Sequence, residues 1–190
     1  MTQMASAAAA PVDRHVLVTG GAGYIGSHAC KQLARAGYVP VTFDNLSTGW
    51  ASAVKFGPLV QGDLLDRPAL DAVFAEYQPV AVMHFAALSQ VGEATRDPGR
   101  YWRNNLGGSL NLIEAMVAAN CLDMVFSSTC ATYGDQDGVV LNEDTPQHPL
   151  NALMSFFKDY FSPLGTPERF FVFLGSQRRA RGLKTSVNKL

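Results

Sequence analysis

The sequence predicts an α/β protein with a doubly wound parallel sheet. Short β-rich runs alternate with stretches of helical periodicity along most of the chain. A glycine-rich turn follows the first of these runs, and polar residues follow the ends of the others. Ligands of such sheets bind beyond the carboxyl ends of the strands, near the reversal in strand order. The residues just after each strand are therefore the most informative about function.

The predicted strands are apolar runs bounded by glycine or polar residues, as expected for strands buried on both faces. Five are expected, at 15–20 (HVLVTG), 39–44 (VPVTFD), 58–63 (PLVQGD), 80–87 (VAVMHFAA) and 123–129 (DMVFSST). By composition, 169–175 (RFFVFLG) is a candidate for a sixth strand.

Three helices are predicted between these strands from apolar spacing and end signals. The first closes at Gly37, and the second is capped by Asp66 with Pro68 in its first turn. The third is expected over 99–119. The residues expected on the apolar faces of the three helices are, in order, Ile25, Ala29 and Leu33; Leu70, Val73, Phe74 and Tyr77; and Leu106, Leu110, Ile113 and Val117.

The glycine-rich turn is TGGAGYIG, at 19–26. It fits both G-x-G-x-x-G (Gly21, Gly23, Gly26) and G-x-x-G-x-x-G (Gly20, Gly23, Gly26). Glycine lets the backbone approach a pyrophosphate, and the following helix offers unpaired N–H groups and a positive dipole end. An ordinary tight turn is the alternative, but the position between a strand and a helix favours a Rossmann-like dinucleotide site.

Two carboxylates follow the second and third strands. Asp44 is placed to accept hydrogen bonds from adenosine ribose hydroxyls and to repel a 2′-phosphate, which favours NAD over NADP. A solvated loop acid or a helix cap is the alternative for Asp44. Asp63 is placed to accept from an exocyclic amine such as that of adenine, although a capping role for Asp63 or Asp66 is nearly as well supported.

The ends of the fourth and fifth predicted strands also hold candidate site residues. In HFAAL, at 84–88, small residues would let a cofactor lie against the backbone, and His84 is interpreted as a packed histidine rather than a catalytic group. In FSSTCATYG, at 126–134, hydroxyls cluster where the fifth strand ends. One of them is a candidate for binding a substrate oxygen, with turn formation as the alternative.

Composition sets broader limits. The chain has 190 residues, of which 47% are apolar, and we expect a cytoplasmic domain without a membrane helix. Residues 1–15 are expected to be a disordered tail, not a signal peptide. The three cysteines, Cys30, Cys121 and Cys130, lack metal-ligand spacing and are interpreted as reduced structural thiols. No metal site and no nucleic-acid partner are predicted.

Taken together, the motifs resemble the extended short-chain dehydrogenase/reductase family and, within it, the UDP-glucose 4-epimerases. The matching runs are VLVTGGAGYIGSHACKQLARAGY, DNLSTG, GDLLD, MHFAALSQVGEA, NNLGGSLNLIEAM and FSSTCATYGD. They extend over about 16–152, and together they are far more specific than any single motif. The resemblance implies an NAD-binding Rossmann domain over these residues.

The resemblance also implies an activity and a set of site residues. Such enzymes interconvert UDP-galactose and UDP-glucose through a 4-keto intermediate, with tightly held NAD, and are often homodimeric. Thr129 matches the catalytic Ser/Thr that hydrogen-bonds the sugar 4-hydroxyl. The cofactor-binding positions implied are Gly20, Gly23, Tyr24, Ile25, Gly26, Asp44, Asn45, Leu46, Ser47, Thr48, Gly49, Asp63, Leu64, Phe85, Ala86, Ala87, Ser89 and Asn105.

One expected element is missing. The family places Tyr-x-x-x-Lys some two dozen residues after the catalytic hydroxyl, and the lysine and NAD make that tyrosine a usable base. Leu153 and Phe157 occupy the two positions, and the pattern occurs nowhere in the sequence. The related 4,6-dehydratases carry an Asp-Glu pair where this chain has Cys130 and Ala131, which disfavours a dehydratase.

The composition changes abruptly at Leu153. Residues 1–152 carry 8 basic and 14 acidic side chains, whereas 153–190 carry 7 basic and 2 acidic ones and 6 of the 11 phenylalanines. We therefore expect 153–190 to be an atypical tail, left by truncation or a shifted reading frame, with the sugar-binding domain missing. Three interpretations follow: a weak or inactive UDP-glucose 4-epimerase or another sugar-nucleotide epimerase, a non-catalytic NAD-binding fragment, and an unstable fragment.

Overall fold

The computed structural model describes residues 14–127, 133–134, 145–146, 148 and 170–173. Its sheet has six strands in the order β3-β2-β1-β4-β5-β6, and the first five pair in parallel. The strands are β1 (His15–Thr19), β2 (Val39–Asp44), β3 (Leu59–Gln61), β4 (Ala81–His84), β5 (Met124–Ser127) and β6 (Phe170–Phe173). The predicted doubly wound Rossmann-like sheet is confirmed, and a sixth strand is present at Phe170–Phe173.

The central strand β1 is buried from its second residue onward, because helices cover parallel sheets on both faces. Val16, Leu17 and Val18 are at most 2% exposed. Cys30 of α1 and Tyr38 pack with Val16 and Val18 in one core cluster. Burying each such aliphatic side chain contributes roughly 1.5–3 kcal/mol. The continuous apolar runs of the sequence are thus explained by burial on both faces.

The first two helices follow the sequence signals. Helix α1 (Tyr24–Arg35) connects the neighbouring strands β1 and β2, whereas helix α2 (Arg67–Tyr77) lies in the crossover from β3 at the sheet edge to β4 beside β1. The Asp66 side chain accepts from the backbone N–H of Ala69 at 3.1 Å, which confirms the predicted cap. Three of the four predicted α2 residues are buried, namely Leu70, Val73 and Phe74.

The third predicted helix is three segments, not one. Helix α4 (Pro98–Tyr101) runs into a π-helical turn (Trp102–Gly107) and then into helix α5 (Gly108–Ala118). A short helix, α3 (Val91–Arg96), precedes them. The predicted apolar face was wrong, since Val117 is 63% exposed. The buried residues of the π turn and α5 are instead Asn105, Gly108, Ser109, Leu112, Ala115 and Met116.

The buried face of α5 is set by close packing and polar contacts that apolar spacing does not reveal. A Cβ on Gly108 would lie 2.9 Å from the Cβ of Leu64, so glycine allows the close approach there. Ser109 Oγ lies 3.0 Å from Nε2 of His84, in β4. The buried face of α5 therefore includes the small and polar residues Gly108 and Ser109 beside apolar ones, and it lies about one residue out of phase with the predicted face.

Candidate cofactor site

The carboxyl ends of three strands meet at one level of the sheet. The register aligns Thr19 of β1 with Phe43 of β2 and with His84 of β4. The backbone N–H of Gly20 donates to the Phe43 carbonyl at 2.9 Å, and the N–H of Phe85 donates to the Thr19 carbonyl at 2.9 Å. The glycine turn, the end of β2 and the loop after β4 therefore face one another, as expected for a doubly wound sheet.

The glycine turn depends on two glycines for its shape. Gly20 has φ +72°, and a Cβ there would lie 2.6 Å from the backbone nitrogen of Ala86. A Cβ on Gly26 would overlap the carbonyl oxygen of Gly20. Both residues therefore bring the turn close to neighbouring backbone, which a larger side chain would prevent.

Helix α1 begins at this turn with an uncapped, exposed end. Its N-cap is Gly23, which has no side chain to bond the N–H groups of the first turn. Tyr24 and Ile25 are 82% and 60% exposed, so Ile25 does not join the apolar face on which Gly26 and Cys30 are buried. The helix end thus offers backbone donors and a positive dipole end to an anion.

The carboxylate of Asp44 lies at the end of β2, beside the glycine turn. One oxygen accepts from the backbone N–H of Ala22 at 3.0 Å, and the other accepts from the N–H of Leu46 at 2.8 Å. Asp44 is only 9% exposed. Each carboxylate oxygen has a second acceptor site, so the fixed carboxylate retains capacity for ligand hydroxyls.

The end of β3 is joined to the loop after β2. Asp63 accepts from the side-chain amide of Asn45 at 2.9 Å and from the backbone N–H of Leu65 at 2.8 Å. Asn45 in turn accepts from the N–H of Ser47 at 3.0 Å. The two loops therefore form one polar rim, while the capping of α2 falls to Asp66.

These segments surround a cavity of about 260 Å³. Fifteen of the eighteen predicted cofactor positions line it, namely Gly20, Gly23, Tyr24, Ile25, Gly26, Asp44, Asn45, Ser47, Thr48, Gly49, Asp63, Leu64, Phe85, Ala86 and Ala87. Leu46, Ser89 and Asn105 do not line it. Four lining residues were not predicted, namely Phe43, Gly62, Leu88 and Asn104. The last three lie within the quoted motifs, and Phe43 directly precedes Asp44.

Asn105 lies behind the cavity wall and contacts Leu88. Its Oδ1 accepts from the Leu88 N–H at 2.8 Å, and its Nδ2 donates to the Leu88 carbonyl at 2.9 Å. Asn104, which lines the cavity, donates through Nδ2 to the same Oδ1 at 2.8 Å. The π-helical turn thus reaches the cavity directly through Asn104, and also through the backbone of the loop after β4, which Asn105 holds.

His84 is a packed core residue, as predicted. It is 3% exposed, and its ring lies 5.3 Å from that of Phe126, centroid to centroid. Burial lowers its pKa from 6.5 to about 4. A neutral imidazole therefore lies beneath the cavity at neutral pH.

Several sequence predictions concern other groups. Thr129, Leu153 and Phe157 lie outside the described residues.

Burial raises the pKa of the Cys30 thiol and raises that of Cys121 to about 11, which disfavours reactive thiolates. Within the described part of the chain, no cluster of three or more His, Cys, Asp and Glu side chains could hold a metal ion. Nor is any helix there long and apolar enough to cross a membrane.

The strand order, the glycine turn and the carboxylate after β2 define a Rossmann-like, dinucleotide-binding class of protein. The NAD dependent epimerase/dehydratase family matches residues 16–156, and the chain belongs to that family.

The UDP-glucose 4-epimerase of Rhizobium meliloti (strain 1021) is 51% identical over 139 residues, which cover 73% of this chain and 42% of that protein. A probable UDP-arabinose 4-epimerase of Oryza sativa is 46% identical over 151 residues, 74% of this chain and 36% of that protein. The crystal structure of Brucella ovis UDP-glucose 4-epimerase in complex with NAD has 42% identity and a TM-score of 0.77, covering 85% of this chain and 51% of that one. The chain thus spans less than half the length of these curated relatives.

Proposed function

We propose that this chain binds NAD at the carboxyl edge of its sheet. The observation that carries the proposal is the Asp44 carboxylate, fixed by the N–H groups of Ala22 and Leu46 at the rim of the cavity. A carboxylate in that place suits two adjacent ribose hydroxyls, each of which donates to one oxygen. A 2′-phosphate would meet a fixed negative charge there, so NAD is preferred over NADP.

The other lining groups fit the remaining parts of the cofactor. The N-terminus of α1, with Tyr24 and Ile25 exposed on it, suits the pyrophosphate. The rim formed by Asn45 and Asp63 suits the adenine amine. The small residues Ala86 and Ala87 leave room for a flat ring beside the loop after β4. When bound, NAD would accept hydride from sugar C4 and later return it.

We further propose that the parent activity is 4-epimerisation of UDP-glucose and UDP-galactose, with Thr129 hydrogen-bonding the sugar 4-hydroxyl. The Rhizobium meliloti relative supports this substrate pair, while the Oryza sativa relative favours UDP-arabinose as a second candidate. Leucine and phenylalanine at 153 and 157 cannot accept or hold a proton. We therefore expect this chain to be a weak or inactive epimerase that still binds the cofactor.

Titration of the purified chain with NAD and NADP tests the cofactor proposal. Calorimetry should give saturable 1:1 binding of NAD and much weaker binding of NADP. Trp50 is 75% exposed next to Gly49 of the cavity lining, so its fluorescence offers a second readout. Native mass spectrometry would also detect NAD that copurifies. Absence of NAD binding at millimolar concentration, in a chain that unfolds cooperatively, would contradict the proposal.

A further inference from the structure

Four polar side chains are buried together behind the loop after β4. Thr19, His84, Ser109 and Asn105 are 0%, 3%, 1% and 6% exposed. They come from β1, β4, α5 and the π-helical turn. Buried polar groups are costly unless each finds a partner, so the arrangement of their hydrogen bonds is informative.

The chemistry of the partners fixes the direction of these bonds. Ser109 Oγ lies 2.5 Å from the carbonyl oxygen of Asn105, which can only accept, so the hydroxyl donates there. The same Oγ must then accept from Nε2 of His84, at 3.0 Å. Burial favours the neutral imidazole, whose single proton is then on Nε2. Nδ1 of this tautomer accepts from the Thr19 hydroxyl, at 2.6 Å.

The chain of bonds ends at the cavity wall. Ser109 bonds the backbone of Asn105, and the Asn105 side chain brackets both the N–H and the carbonyl of Leu88. Leu88 lines the cavity together with Ala86 and Ala87. Asn105 itself lies in a π-helical turn, an irregularity common at functional sites because it re-aims side chains.

We propose that His84 is a positioning residue, whose Nε2–H, through Ser109, fixes the turn carrying Asn105 and so holds the Leu88 wall of the cavity. The hydrogen bond to Thr19 serves a different purpose, since it joins β1 to β4 within the core. The link to cofactor binding rests on the proposed function, whereas the link from His84 to Leu88 does not.

Two substitutions of His84 test the roles of its two ring nitrogens separately. In His84→Gln the side-chain amide nitrogen can replace the Nε2 donor, whereas in His84→Asn the amide oxygen can replace only the Nδ1 acceptor. Ser109→Ala removes the link to Asn105, and Thr19→Val removes the core hydrogen bond as a matched control. Hydrogen exchange at the Leu88 amide, followed by mass spectrometry in the free protein, reports directly on the hydrogen bond from Leu88 to the Asn105 side chain.

Exchange at Leu88 should be about 10-fold faster in His84→Asn and Ser109→Ala than in the wild type, consistent with one lost buried hydrogen bond. NAD affinity should fall by about 5- to 10-fold in the same variants. His84→Gln and Thr19→Val should stay near wild type in both readouts, with global unfolding measured in parallel. Equal Leu88 exchange in Ser109→Ala and Thr19→Val overturns the inference, even where a His84 variant fails to fold. If Leu88 exchanges faster in His84→Asn and Ser109→Ala but the wild type does not bind NAD, the proposed function is refuted and the positioning role is supported.

Discussion

The carboxylate of Asp44 accepts a hydrogen bond from the backbone N–H of Ala22, 3.0 Å away, across 22 residues of sequence. A second N–H, that of Leu46, donates to its other oxygen at 2.8 Å. These bonds tie the end of β2 to the glycine turn and prevent the carboxylate from rotating away from the cavity. The geometry thus offers two charged acceptors in fixed positions, which is what selective recognition of a ribose diol requires.

Asp44→Asn should weaken NAD binding by roughly 10- to 100-fold, because a hydrogen bond to a charged acceptor contributes about 1.5–3 kcal/mol. The amide NH₂ would also face one of the two backbone donors. The preference for NAD over NADP should narrow, since the negative charge is removed. Calorimetric Kd values for both cofactors measure this. Asp71→Asn is the matched control, because Asp71 lies on the exposed face of α2, and unchanged selectivity in Asp44→Asn would refute the assignment.

Gly26→Ala should destabilise the fold, because the added Cβ would overlap the Gly20 carbonyl oxygen. Overpacking of this kind costs about 1–3 kcal/mol, and here it also moves the glycine turn away from α1. Urea unfolding measures the loss. Gly92→Ala is the control, since nothing lies within 4 Å of a Cβ added there and alanine favours helix by roughly 0.5–1 kcal/mol. Equal stability of the two variants would show that the turn can relax.

The parts of the site that the sequence predicted are those encoded locally. The glycine turn and Asp44 each follow a strand of clear apolar composition, so topology alone brings them together. The face of α5 was mispredicted because Ser109 is turned inward by a hydrogen bond to His84, 25 residues away. Leu88 was missed for a similar reason, since its place in the wall depends on Asn105 in a π-helical turn. Apolar periodicity reveals neither contact.

Stability should fall on acidification through the titration of His84. Its pKa is lowered from 6.5 to about 4 by burial, so the unfolded chain takes up a proton at a pH where the folded chain does not. The stabilisation that comes from keeping His84 neutral is present in full above the unfolded pKa of 6.5. It is lost as the pH falls from 6.5 to about 4, and the unfolding free energy does not change further through His84 below that pH. The total is about 3 kcal/mol.

Urea unfolding of wild type and His84→Gln between pH 7.5 and 4 isolates this effect, because glutamine does not titrate. The difference in unfolding free energy between the two proteins should shrink as the pH falls. The side chains that contact the imidazole, Thr19, Ser109 and Phe126, carry no charge that would obscure the result. A difference that is independent of pH would show that the imidazole is charged or solvated in the folded protein.

We expect this chain to bind NAD but to epimerise UDP-sugars slowly or not at all. The proposed function takes Leu153 and Phe157 as replacements for the tyrosine and lysine of the family, and general acid–base catalysis is commonly worth ~10²–10⁴-fold in rate. Incubation with UDP-galactose should therefore yield UDP-glucose at least ~100-fold more slowly than the UDP-glucose 4-epimerase of Rhizobium meliloti assayed alongside. NAD should nevertheless remain bound, because the groups that line its cavity belong to residues 20–104. Turnover comparable to that of the relative would require another proton acceptor and would overturn the view that the residues at 153 and 157 leave this chain catalytically weak.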